Sequence, residues 1–216
     1  MTSKTNQTAT NFWDQLFGKQ KDIWGMAPSD SALFANDYFQ KNKISKILIP
    51  GIGYGRNAAA FAPNKFNITG IEISPTAITQ ARENGFNCPI YTGSVLDMPF
   101  NDERYEGIFC YALLHLFNRN ERKAFLQKCF DQLLPGGQMI FSIVSTKADL
   151  YGTGRLLSKD RYHQTNGLDV FFYSMESAQR EFKNFWIIDC REIDEPIKFI
   201  TNLKPLKCIL VICKKE

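Results

Sequence analysis

Several features are scarce or missing in this 216-residue chain. No run approaches the roughly 18 consecutive apolar residues of a membrane-spanning helix, so no segment is expected to cross a bilayer. The six cysteines, Cys88, Cys110, Cys129, Cys190, Cys208 and Cys213, form no CxxC pair. Most of them sit inside apolar runs, where a thiol behaves as a small hydrophobe, a usage that points to a reducing cytoplasm and away from zinc or any other metal. Neither sign of charge dominates. The formal net charge is +4, and the basic residues are scattered except for Lys204, Lys207, Lys214 and Lys215, too little basic surface to imply a nucleic-acid partner. The leading "MTSKTNQTATNF" has no apolar stretch after its lysine, so neither a secretory signal nor an anchor is expected. No internal repeat or low-complexity segment occurs.

What is present suits one sizeable domain: 44% hydrophobic and 22% charged residues, enough apolar material for a real core. Apolar runs of strand length lie at Lys46–Ile49, Phe66–Ile71, Ile90–Thr92, Gly107–Tyr111 and Met139–Val144. They are nearly continuous rather than alternating, as in parallel strands covered on both faces. Helical patterns separate them at Arg56–Phe61, at "SPTAITQARENG" and at Asn120–Leu134. In the second of these, Ser74 is a good N-cap, Pro75 fits the first helical position and Gly85 suits the end. In the third, Phe125, Cys129 and Leu133 share a face before "LLPGG" turns the chain. Strand and helix in alternation predict a doubly wound α/β sheet. Residues Ser145–Asp169 are polar and glycine-bearing, and read as a functional loop or lid. A short helix at Met175–Phe182 and apolar runs at Phe185–Cys190 and Cys208–Cys213 follow.

The stretch "ILIPGIGYGRNAAAFA" places Gly51, Gly53 and Gly55 between the first strand and the next pattern. That is the carboxyl edge, where open α/β sheets bind ligands. Lacking Cβ atoms, these glycines admit a ligand against main chain, although a tight turn that binds nothing is the plain alternative. Twenty-one residues past Gly51, Glu72 ends the second strand in "TGIEIS", where an acidic side chain accepts ribose hydroxyls. A nucleoside-containing cofactor follows. A dinucleotide fingerprint would have a third glycine where Arg56 stands, so the spacing argues against NAD.

Together "LIPGIGYG", "GIEIS", "GSVLDMPF", "YEGIFCYALLHLF" and "LLPGG" resemble the class I S-adenosylmethionine-dependent methyltransferases over roughly Phe12 to Leu150. The Pro-Gly form of the first motif and the leading "FWDQLFGKQKDIWG" look most like the thiopurine and tellurite-resistance branch. The resemblance implies a Rossmann-like three-layer sandwich, a seven-stranded, mostly parallel sheet closed by a hairpin whose last strand is antiparallel. It implies S-adenosyl-L-methionine as cofactor, S-adenosyl-L-homocysteine as product and a small-molecule methyl acceptor. Gly51, Gly53 and Gly55 would pass along its methionine and ribose, Glu72 would hold the ribose hydroxyls and Ile73 would pack on adenine. Ser94 and Val95 would border the adenine edge, with Asp97 a partner for the exocyclic amine, and Cys110 and Tyr111 would face the methionine end. Two positions depart from the family: Ile49 and Ser94 stand where acidic residues are common.

On the acceptor side, Trp13 and Trp24 either cover the sheet or line the pocket, and Tyr151 and Arg155 belong to the polar insertion. His115, just beyond the fourth strand, is a candidate catalytic base or a buried structural histidine. The expected organisation is a helical cap over 1–44, a cofactor-binding core over 45–145, a substrate loop over 146–173, and a helix with a strand hairpin over 174–216. Three other readings stay open: an S-adenosylmethionine-binding protein without transfer activity, a nucleic-acid methyltransferase, and a nicotinamide oxidoreductase. Oligomeric state is not legible.

Overall fold

A computed structural model describes residues 2–200 and 203–216. Met1, at the start of the expected cap, and residues 201–202, inside the expected hairpin connection, lie outside the described residues. The main sheet has seven strands: β1 (Lys46–Pro50), β2 (Asn67–Glu72), β3 (Ile90–Thr92), β4 (Tyr105–Tyr111), β5 (Leu133–Val144), β9 (Trp186–Glu195) and β10 (Leu206–Lys214). Their order is β3-β2-β1-β4-β5-β10-β9. The first five are mutually parallel, whereas β10 runs antiparallel to both β5 and β9. The doubly wound sheet with a reversed last strand is therefore as the sequence predicts.

Successive residues of a strand face opposite sides, and the two faces bury different helices. Ile108, Cys110, Phe141 and Val211 pack against Phe125, Leu126 and Cys129 of α4 (Arg119–Gln132) and Phe182 of α5 (Met175–Phe182). Ile47, Ile49, Phe109 and Leu210 pack on the other side against Ala32, Ala35 and Phe39 of α2 (Asp30–Lys41). Helix α4 begins one residue before the expected Asn120, because Asn118 forms a capping box with Glu121.

Two expectations differ from the structure. Arg56–Phe61 forms no α-helix; only single 3-10 turns occur, at Ala58–Ala60 and Ala62–Asn64. Pro63 supplies no amide and disfavours helical backbone at the residue before it, so the run stops before an α-helix can nucleate. The expected loop over 146–173 contains a second, antiparallel sheet of β6 (Arg155–Ser158), β7 (Arg161–His163) and β8 (Asp169–Phe171). Its turns explain it: Asp160 has φ +59 between paired Ser158 and Arg161, and Asn166-Gly167, with Gly167 at φ +87, joins β7 to β8. Asn-Gly is a strong hairpin signal, and here it was the readable one.

Helix α3 (Pro75–Glu83) is capped by Ser74, whose side chain accepts from the Ala77 amide at 3.1 Å. Asp14 of α1 (Thr2–Lys19) reinforces that end. Its Oδ1 accepts from Ser74 Oγ and from the Thr76 amide, both at 2.8 Å. The Thr76 amide and then Ser74 hold the Asp14 carboxyl below its ordinary value. Gln80 donates to the Phe17 carbonyl at 2.9 Å. These bonds seat α1 across the amino end of α3, beside the carboxyl edge of β1 and β2.

Candidate active site

The loop after β1 is built on left-handed glycines: φ is +67 at Gly51, +58 at Gly53 and +88 at Gly55, conformations that other residues adopt only with strain. What each bare Cα faces is different. A Cβ on Gly55 would stand 2.4 Å from the Phe86 ring, so buried Gly55 makes room for a phenylalanine of the protein itself. Gly51 is exposed and would meet only the flexible tip of Leu113, at 2.9 Å. Gly53 would meet Phe17 at 3.9 Å, an ordinary contact. The faces open to a ligand are those of Gly51 and Gly53.

Glu72 lies directly beside them, 6% exposed. Its Oε2 accepts the Gly53 amide at 2.9 Å, and its Oε1 accepts the Ile73 and Ser74 amides, each at 2.9 Å. Burial pushes this carboxyl above its ordinary value, while the three amides pull it back toward the charged form. A carboxylate has about four acceptor sites. Three are taken internally, which leaves one on Oε2 for a ligand hydroxyl.

The residues expected at the adenine edge gather along the same rim. Ile73 is half-buried, and Gly93 donates to the Glu72 carbonyl at 2.9 Å, placing the following turn next to it. Ser94 caps that turn by accepting from the Leu96 amide at 3.2 Å; Val95 is buried and Asp97 exposed.

Aromatic side chains enclose the loop from α1 and the segment after it. Trp24 stacks on Tyr54, ring centroids 6.3 Å apart, and Phe17 and Trp13 pack edge-on or tilted against the pair. The Tyr54 hydroxyl donates to the Gly25 carbonyl at 2.8 Å and accepts the Trp24 amide at 3.1 Å. Trp13 and Trp24 thus pack with Phe17, Tyr54 and Ala77 over the glycine loop and the start of α3 rather than on the sheet itself. The helical spacing of Phe12, Trp13, Leu16 and Phe17 had marked this aromatic cover in the sequence, whereas Tyr54 and Asp14 had not been singled out.

At the end of β4 the two neighbours part. Cys110 is fully buried on the α4 face, so its thiol faces the core, contrary to the expectation that it faces the methionine end; only its backbone reaches the edge. Tyr111 lies on the α2 face, with the Arg56 guanidinium 5.4 Å over its ring. Burial raises its hydroxyl well above the ordinary value, the charge of Glu195 adds to this, and Arg56 opposes it.

His115 is buried, and its Nδ1 accepts the Val144 amide at 3.4 Å. Burial lowers its pKa to about 4, so at neutral pH it is an uncharged, weakly basic group, which favours the structural alternative. A folded-state value below the unfolded value of about 6.5 means that the unfolded chain binds more protons between the two. Stability from His115 is therefore complete above about pH 6.5 and lost as pH falls toward 4, by up to roughly 3 kcal/mol. Urea denaturation between about pH 7.5 and 4.5 checks this: His115→Gln should show a flatter decline than the wild type, and parallel declines would refute it.

Tyr151 and Arg155 stand apart from the glycine loop. Tyr151 donates to Asp160 Oδ1 at 2.8 Å and packs against Tyr162 and Phe172; Arg155 is exposed on β6. The small sheet is tied to the β4 end by Arg161, which donates to the Phe117 carbonyl at 2.6 Å. Among the described residues no group of three or more His, Cys, Asp or Glu is placed to hold a metal, and no helix is long and apolar enough to cross a membrane.

Residues 47–137 match the family model of a methyltransferase domain. The chain is 28% identical over 130 residues to carboxy-S-adenosyl-L-methionine synthase of Chromohalobacter salexigens, a match covering 57% of this chain and 46% of that protein. It thus spans about half the length of that curated relative. Among solved structures, 1,6-didemethyltoxoflavin-N1-methyltransferase of Burkholderia thailandensis, with bound 1,6-didemethyltoxoflavin and S-adenosylhomocysteine, superposes with a TM-score of 0.72 at 16% identity, over 100% of this chain and 91% of that one. TehB from Haemophilus influenzae gives 0.63 at 13% identity over 94% and 67%. The similarity to the methyltransferase model is confined to residues 47–137, and the fold is the Rossmann-like one of those solved methyltransferases.

Proposed function

We propose that the protein is an S-adenosylmethionine-dependent methyltransferase that moves a methyl group to a small-molecule nucleophile by in-line displacement. The observation that carries this is the Gly53 amide bonded to Glu72 Oε2 at 2.9 Å, which fixes a bare glycine turn and an acid as one unit inside the matched methyltransferase domain. The residues fit the cofactor: Gly51 and Gly53 leave main chain open, and Oε2 keeps an acceptor site for a ribose hydroxyl. When bound, S-adenosylmethionine supplies a methyl group already activated by its sulfonium. Ile73 and Val95 flank the adenine, Ser94 and Asp97 border its edge, and Tyr111 with the Cys110 backbone stands at the methionine end. Phe17, Trp13, Trp24 and Tyr54 keep water from the loop, and Tyr151, in the turn before the small sheet, and Arg155, on its first strand, face the acceptor side.

Holding the acceptor in line is the chain's main task, since orientation alone is worth roughly 7–11 kcal/mol. With His115 uncharged and weakly basic, the site suits an acceptor atom that already has a free lone pair, such as a thiolate, a selenide or an amine. Placement near the thiopurine and tellurite-resistance branch draws support from the motif forms and from the likeness to TehB. Calorimetry with S-adenosylhomocysteine, followed by transfer of labelled methyl to a panel of thiols, selenides, phenols and amines, tests the proposal. Binding and turnover on a panel member are expected; no binding sinks the reading, and binding without turnover across the panel favours a non-catalytic binding protein.

A further inference from the structure

His163 is the second of the chain's two histidines and has no role in the site as described so far. It stands on β7 in register with Asp169 of β8, and its Nδ1 lies 2.8 Å from Asp169 Oδ1. An ionised carboxylate only accepts, so this contact makes Nδ1 the donor and leaves Nε2 with its lone pair. Among the described residues Nε2 has no partner, and the side chain is 42% exposed. Arg161 steadies the acid, its Nη2 lying 3.4 Å from Asp169 Oδ2.

The hairpin of β7 and β8 links the β4 end to the aromatic cover. At one end Arg161 donates to the Phe117 carbonyl at 2.6 Å, just past the Leu114–Leu116 turn that follows β4. At the other end a Cβ on Gly167 would lie 3.4 Å from the Phe12 ring, which packs edge-on against Trp13 at 5.3 Å. Alternation along β7 puts Arg161 and His163 on one face and Tyr162 on the other. Tyr162 packs into the cluster of Val144, Ala148 and Phe172, so the face with Arg161 and His163 is the one turned to the β4 end. Other groups that could take a proton here are spent. His115 is buried and weakly basic, the Tyr111 hydroxyl is raised by burial and stays protonated, and Asp160 accepts the Tyr151 hydroxyl at 2.8 Å. Glu72 is held by three amides.

We propose that His163, oriented by Asp169, is the general base of methyl transfer, and that the acceptor arrives protonated, as a thiol or a phenol. The inference rests on the methyltransferase reading of the site. Nε2 takes the S–H or O–H proton while the acceptor atom bonds to the methyl carbon and that carbon parts from the sulfonium. The electron pair of the broken bond stays on the sulfur of S-adenosylhomocysteine, and the half-exposed imidazolium passes its proton to water. His163 thus supplies what the buried His115 does not.

Two measurements on the full chain test this. Without ligand, the nitrogen NMR signals of the two histidines report the tautomer: the neutral His163 ring should carry its proton on Nδ1, and Asp169→Asn should relax that preference. A neutral ring protonated on Nε2 overturns the proposal. The second is transfer of labelled methyl to thiols of graded acidity, from 4-nitrothiophenol through thiophenol to benzyl mercaptan, by wild type, His163→Gln and Asp169→Asn. His163→Gln should lose about 100-fold or more in kcat on benzyl mercaptan, with the loss shrinking as the thiol becomes more acidic. Asp169→Asn should show the same trend at smaller amplitude, and S-adenosylhomocysteine affinity should not move in either. An equal loss across the series, or none, makes the pair a structural tie of the hairpin and overturns the proposal, as does a wild type that binds S-adenosylhomocysteine but methylates no member. Failure of the wild type to bind S-adenosylhomocysteine rejects the methyltransferase reading itself.

Discussion

Glu72→Gln should weaken S-adenosylhomocysteine binding by roughly 30- to 100-fold, the scale of one charge-assisted hydrogen bond plus disturbance of its surroundings. The carboxylate accepts on both oxygens, from Gly53 on one side and from Ile73 and Ser74 on the other. An amide has only one acceptor oxygen, so its NH2 must face at least one backbone donor. Either the Gly53 amide or the Ile73–Ser74 pair is then orphaned, at a cost of about 1–3 kcal/mol. If the orphan is Gly53, the glycine turn keeps its Gly51 and Ile52 bonds to the Ile71 carbonyl but loses its side-chain tie to β2, and the ligand loses its acceptor together with it. Titration calorimetry paired with thermal melting reads both consequences. A lower melting temperature with unchanged affinity would confine Glu72 to a structural role and remove the ribose assignment.

The largest stability loss is expected at Arg122. This α4 residue is 4% exposed, its Nε lies 3.3 Å from Glu181 Oε2, and its Nη1 donates to the Phe117 carbonyl at 3.1 Å. Its guanidinium carbon sits 3.9 Å from the Phe171 ring centroid. Arg122→Met would leave Glu181 buried without a counter-charge, and Glu181 already has one oxygen without a partner among the described residues. Removing one member of a buried pair typically costs about 3–5 kcal/mol, or roughly 10 °C of melting temperature for a chain of this size. Adding Glu181→Gln should recover part of the loss, because the orphaned charge goes with it. The Phe117 carbonyl also receives Arg161, so Arg122→Met should expose the small sheet to limited proteolysis. An unchanged melting temperature would mean that the pair contributes nothing.

Much of the fold was readable because its causes are local. Ser74, Pro75 and Gly85 delimit α3 by their own backbone preferences, and the continuous apolar runs of β1, β2 and β4 say that both faces are covered. Glu72 was legible for the same reason: it ends a strand whose neighbours all fit a buried parallel sheet. Arg56–Phe61 misled because alanine favours a helix while Pro63, just past the run, forbids its continuation. The small sheet went unread because its strands are three or four residues long, too short for a period of two to stand out, and only the Asn-Gly turn announced it.

The site divides along the same line. Chain order alone determined that three glycines and an acid would meet at the carboxyl edge, since parallel topology brings successive strand ends together. Tertiary packing decided the rest: Gly55 yields its space to Phe86, Cys110 turns into the core while Tyr111 turns to Arg56, and His115 is stripped of water. Those outcomes depend on which distant side chains arrive at each position and how much solvent they displace, and no neighbour in sequence encodes either.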